Sequence, residues 1–124
     1  MIEICDGTVN RFREAEELVL REQVAKALVN KGVALGTLGR LEEVIEICDE
    51  IATWLQEAGE LELQEQVARA LVNKGVALGS LDRLKEATDV YNEVISRFEG
   101  EAALRHQVDR ALQLSADMQK PKMA

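Results

Sequence analysis

Three cations stand at equivalent places in an otherwise acidic chain: Lys26, Arg69 and Arg110. One helical turn after the first two come Asn30 and Asn73. Ammonium and guanidinium groups hold carboxylates through charge-assisted hydrogen bonds, and an amide side chain bonds the backbone of a bound segment. The set therefore points to capture of an acidic segment or a C-terminal carboxylate. A plainer reading pairs each base with acids on its own or a neighbouring helix, Lys26 with Glu22 for example, which contributes only about tenths of a kcal/mol.

Other reactive side chains carry no catalytic pattern. The single histidine, His106, lies in Leu104-Arg105-His106-Gln107-Val108 with no nucleophile motif beside it, and is read as surface or structural. Cys5 and Cys48 occupy matching places in a repeat, with Tyr91 in the third. Matching residues on stacked helices lie ~8 to 10 Å apart, beyond disulfide reach, so the slot is a packing slot. No phosphate loop, zinc spacing or calcium loop occurs. Glu16-Glu17 and Glu42-Glu43 are expected to open helices, where acids favour the dipole. Trp54 and Phe98 are expected to pack between helices. No catalytic, cofactor or metal residue is assigned, and an enzyme is not expected.

The elements that position these residues follow from an internal duplication. Residues 21–41, REQVAKALVNKGVALGTLGRL, return at 64–84 as QEQVARALVNKGVALGSLDRL, an offset of 43. Such a period in a helical composition marks a solenoid, whose units bury their apolar faces only by stacking. Leu20, Val24, Ala27, Leu28, Gly32, Leu35 and Leu38 mark one helix, here termed A-type. Gly39 ends it, and Leu41, Val44, Ile45, Cys48, Ile51, Leu55 and Ala58 mark its B-type partner. The short turn makes the two antiparallel.

The second copy predicts helices over 61–81 and 83–99. A third A-type helix is predicted over 101–119, where Val108, Ala111 and Leu112 match Val67, Ala70 and Leu71 at an offset of 41. Upstream, Ile4-Cys5-Asp6 matches Ile47-Cys48-Asp49, so residues 2–13 read as a B-type helix. The expectation is an all-α, right-handed solenoid of six helices in the order B-A-B-A-B-A. It forms a single domain over 1–120: a partial repeat 1–15, repeats 16–60 and 61–100, and a terminal helix 101–119, followed by a frayed tail at 120–124 around Pro121.

Composition agrees with aliphatic helices. The 124 residues are 47% hydrophobic with one Trp, one Tyr and two Phe, and 23 acids outweigh 15 bases for a net charge of -8. That excess disfavours nucleic acid and anionic membranes, and no stretch has the ~20 apolar residues of a membrane span. With Glu3 and Asp6 where a secretory leader would be cationic, cytoplasmic residence is expected. Gly32 and Gly36, like Gly75 and Gly79, lie one turn apart, and are read as seats for a closely packed neighbouring helix.

The order of large, small and acidic residues in Ala27-Leu28-Val29-Asn30-Lys31-Gly32-Val33-Ala34-Leu35, then Gly39, Glu43, Val44 and Ile45, resembles the tetratricopeptide repeat. Leu71, Asn73, Gly75, Ala77, Leu78, Glu86, Ala87 and Tyr91 continue the pattern. The long period is similar to that of a roughly 42-residue bacterial variety. Leu28 and Leu71 stand where the family prefers an aromatic, and Asp82 where it prefers glycine. The resemblance implies a groove lined by A-type helices that takes a peptide or helix of a protein partner. Positions off the main stripe would face it: Val29, Val33, Val72 and Val76, beside Asn30 and Asn73, with Lys26, Arg69 and Arg110 one turn earlier. The chaperone-type carboxylate clamp is not implied, since Val29 and Val33 replace its Lys and Asn. A second reading is self-assembly into a swapped dimer or head-to-tail oligomer. Its uncapped ends would be Ile2, Ile4 and Val9 on one side and Leu104, Val108 and Leu112 on the other.

Overall fold

A computed structural model describes the backbone of residues 2–119 and the side chains of residues 15–118. It is an all-α helical repeat: α1 (Ile2–Thr37), α2 (Leu41–Trp54), α3 (Leu61–Ser80), α4 (Leu84–Phe98), a 3₁₀ turn (Ala102–Leu104) and α5 (Arg105–Gln119). The C-terminal part of α1, α3 and α5 are A-type; α2 and α4 are B-type. Successive helices pack on one another, and α3 also touches both α1 and α5. The tail expected at 120–124 lies outside the described residues.

Both A-to-B turns are built alike. The Arg40 N–H donates to the Leu35 carbonyl at 2.9 Å and that of Gly39 to Gly36 at 3.0 Å; Arg83 to Leu78 and Asp82 to Gly79 repeat the pair at 2.9 and 3.0 Å. This arrangement closes the helix end but needs a left-handed residue. Gly39 takes it at φ 76°, and Asp82 at φ 62° despite its side chain. Arg40 and Arg83 then start the B-type helices and reach one turn on to Glu43 and Glu86.

Six helices were expected and five α-helices form among the described residues, because the B-type segment 2–13 and the A-type segment after it are one helix, α1. The reason is local. Between α2 and α3 the chain turns through Gln56-Glu57-Ala58-Gly59-Glu60; the matching residues are Arg13-Glu14-Ala15-Glu16-Glu17. Replacing glycine by glutamate gives an unbroken run of good helix formers, so nothing stops the helix. Glu16 and Glu17 are consequently interior to α1 rather than at a helix start. α2 is also shorter than its apolar spacing suggested, ending at Trp54 with Leu55 and Ala58 in the turn.

Among the described residues the core is aliphatic, with Tyr91 and Phe98 as its two large aromatic members. Val29 and Val72, expected on the groove, lie within it, as do Leu104 and Val108, expected at an uncapped end. Those two are covered because α5 packs on α4 and α3. Trp54, expected between helices, is exposed on the outer face of α2 beside Glu46, Asp49 and Glu50. Phe98 is buried as expected. The two cysteine-slot residues with described side chains, Cys48 and Tyr91, are both buried; the side chain of Cys5 lies outside the described residues.

The four repeat glycines divide. A Cβ on Gly75 would overlap the Tyr91 ring, lying 2.7 Å from Cζ, and one on Gly32 would meet Ile47 Cγ2 at 3.3 Å. These seat a neighbouring helix as expected. One on Gly36 would meet only Val44 Cγ2 at an ordinary 3.8 Å, and one on Gly79 would meet nothing within 4 Å. Close packing does not account for that second pair.

Two substitutions test this account in thermal or urea unfolding. Gly75→Ala, forced against a buried ring, should destabilise by about 1–3 kcal/mol despite alanine's better helix propensity. Asp82→Gly should raise stability by up to about 1 kcal/mol by removing the side chain from a left-handed conformation.

Candidate functional site

Two of the three A-type helices, α1 and α3, carry Val-x-x-Gly-Thr/Ser near the C-terminal end and are followed by a leucine opening the B-type helix: Val33, Gly36, Thr37 and Leu41, then Val76, Gly79, Ser80 and Leu84. In the fold these residues line two adjoining clefts. The first, about 530 Å³, is bounded by Val33, Gly36, Thr37 and Leu41 on one side and by Asn73, Val76, Ala77 and Ser80 of α3 on the other, with Arg110 at its edge. The second, about 290 Å³, is bounded by Val76, Gly79, Ser80 and Leu84 and by Leu114, Asp117 and Met118 of α5. Val76 and Ser80 line both clefts. The same positions of two repeats make the same concavity twice.

Small side chains set the size difference. Where α3 offers Asn73 and Ala77 to the first cleft, α5 offers Leu114 and Met118 to the second. Gly36 and Gly79 leave both bare of a side chain. An interior helical glycine costs about 1 kcal/mol, and here packing requires neither. The lining is chiefly apolar, because helix backbones satisfy their own polar groups and the Thr37 hydroxyl donates to the Val33 carbonyl at 3.1 Å.

Of the residues expected in a groove, Val33, Asn73, Val76 and Arg110 are brought together on the first cleft. Lys26, Asn30 and Arg69 do not line either cleft. Lys26 pairs with Glu22 at 3.0 Å, four residues earlier on α1, the plainer alternative. Asn30 and Arg69 are exposed. Among the described residues no ion pair reaches Arg69 or Arg110. Leu112, expected at an uncapped end, is exposed on α5; the side chains of Ile2, Ile4 and Val9 lie outside the described residues. The sequence reading missed Gly36, Thr37, Leu41, Gly79, Ser80 and Leu84. For Gly36 and Gly79 the signal was present in the repeated NKGVALG string, where all four glycines were assigned to packing.

Elsewhere the titratable groups serve the scaffold. Lys74 reaches across from α3 to Asp49 of α2 at 2.6 Å, and Arg21 of α1 to Glu60 at 3.3 Å. Burial pushes the Cys48 thiol up to about 12, with the Asp49 carboxylate adding to the effect and Lys74 opposing it. His106 is exposed. Among the described residues no cluster of His, Cys, Asp or Glu could hold a metal ion, and no helix is long and apolar enough to cross a membrane.

Residues 68–99, from within α3 through the turn to the end of α4, match the family model of the tetratricopeptide repeat. Repeats of this type generally mediate protein–protein interactions. No curated protein and no solved structure matches the chain.

The Cys48 environment has a pH signature. A free thiol titrates near 9.0 and Cys48 near 12, so the fold favours the protonated form. That contribution is complete below about pH 9 and is lost as pH rises toward 12, since the unfolded chain ionises first. Alkylation at pH 8, mapped by mass spectrometry, should modify Cys48 roughly 1,000-fold more slowly than a free thiol, the ratio of thiolate fractions for this shift. In urea the difference should vanish.

Proposed function

We propose that this chain is a protein-interaction scaffold that receives a peptide or helix of a partner across its two tandem clefts. The observation that carries the reading is the repetition itself: Val33-Gly36-Thr37-Leu41 and Val76-Gly79-Ser80-Leu84 line equivalent concavities with no packing need for Gly36 or Gly79. A right-handed superhelical sense of the stack and a bacterial, cytoplasmic setting belong to the same proposal.

Spacing specifies the ligand. Adjacent packed helices lie about 8–10 Å apart. An extended segment covers that distance in about three residues at ~3.3 Å each, and a helix in about two turns of ~5.4 Å. The ligand therefore presents two apolar side chains on one side, three apart if the extended segment is a polyproline II helix, whose period is three residues, or seven apart if α-helical. Arg110, exposed at the edge of the larger cleft, favours a carboxylate on the same segment. Asn73 beside it supplies an amide for the bound backbone. The acidic preference thus rests on Arg110, while Lys26 is already paired and Arg69 stands away from the clefts.

The test is selection of a random peptide library displayed on phage against the whole chain. Selected peptides should carry the spaced apolar pair. They should lose at least about tenfold in affinity, ~1.4 kcal/mol, for Gly79→Phe and for Val33→Asp, with helical circular dichroism retained. Arg110→Glu should weaken the acidic peptides only. Ligands indifferent to substitutions in both clefts would refute the reading.

A further inference from the structure

One stripe recurs on all three A-type helices: Leu20, Gln23, Val24 and Ala27 on α1, Leu63, Gln66, Val67 and Ala70 on α3, and Leu104, Gln107, Val108 and Ala111 across the 3₁₀ turn and α5. On the latter two it is core. Leu63 and Leu104 are 0% and 1% exposed, Val67 and Val108 0% and 6%, and the glutamine and alanine positions are buried as well. On α1 the same residue types stand open: Leu20 is 63% exposed, Val24 49%, and Gln23 and Ala27 are exposed too. A shallow apolar depression at Ala15, Val19 and Leu20 continues the open face. What differs is the element before each helix. α3 is packed by α2 and α5 by α4, each a B-type helix turning back over the A-type helix that follows. For α1 the B-type segment, residues 2–13, runs on in line and cannot turn back on its own chain.

We propose that a second copy of this chain covers the open stripe, two α1 helices lying antiparallel so that residues 2–13 of each occupy the place that α2 takes on α3. The repeat itself names the occupant. The stripe is that of an A-type helix, its known cover in this fold is a B-type helix, and residues 2–13 carry B-type residues, Ile4-Cys5-Asp6 standing for Ile47-Cys48-Asp49. An α2–α3 hairpin opened at its turn becomes a helix like α1, and opening a hairpin at a hinge is the step that converts intrachain into interchain pairing. The hinge is Arg13–Glu17, where Glu16 replaces the turn glycine. The contact is isologous, with a two-fold axis passing near Ala15, so it closes at two chains and does not propagate. It lies on a different face from the clefts, and the interaction does not depend on the function proposed for them.

Light scattering and sedimentation of the full chain, from micromolar to near-millimolar, provide the test. The chain should be a dimer. Val24→Glu should yield a monomer that still folds by circular dichroism and still binds cleft-selected peptides. The double variant Arg13→Gln, Glu16→Gly gives the hinge the sequence of residues 56–60 and should also be monomeric, with helicity and Tm retained as the hairpin closes within one chain. A wild-type monomer across the range would overturn the proposal. So would a dimer that survives both variants, or one that dissociates on Leu112→Glu instead, which would mark an end-to-end contact through α5.

Discussion

An A-type helix in this protein cannot bury its own apolar stripe; the B-type helix before it must do so. Leu63, Gln66, Val67 and Ala70 disappear from solvent because α2 turns back over α3, and Leu104, Gln107, Val108 and Ala111 because α4 turns back over α5. This is the energetic rule of a repeat protein, in which neighbour interfaces supply what the single unit lacks. The turns serve it. Gly39 and Asp82 accept left-handed backbone so that only three residues separate each B-type helix from the preceding A-type end. Where the turn sequence is absent, at residues 13–17, the helix runs on and the stripe on α1 stays open.

Glycine separates the packed side of the stack from the side available for contact. Gly75 admits the Tyr91 ring against the α3 backbone, a contact that any side chain would block. Gly36 and Gly79, one turn further along, meet no such neighbour, and their missing side chains become the space of two clefts. One heptapeptide string thus supplies both a packing seat and an open concavity. Ion pairs add little, since most join partly exposed groups such as Arg21 and Glu60 or Arg83 and Glu42, where water screens the attraction.

The helices and their antiparallel order were legible because apolar spacing and the glycine after each A-type helix are local signals. Val33, Asn73, Val76 and Arg110 were legible as one surface, since A-type positions off the main stripe share a face. Val29 and Val72 were misplaced because that stripe is wider than its most regular members, and a helix packed by more than one neighbouring α-helix, two for α1 and four for α3, buries more than one row. Gly36 and Gly79 were misread because an interior glycine is written identically whether a ring or empty space lies above it.

By itself the sequence determined the repeat, its 43-residue period, the two turn positions and the residue types that each helix must bury. These are properties of the chain read along its length, and periodic amphipathicity carries them. Only the tertiary structure decided which equivalent residues end in the core and which in solvent. Leu20 and Leu63 are the same residue in the same context, yet one is open and the other buried, because burial depends on whether a neighbouring helix folds over the site. That in turn hinged on a glutamate at position 16 where the other copy has a glycine.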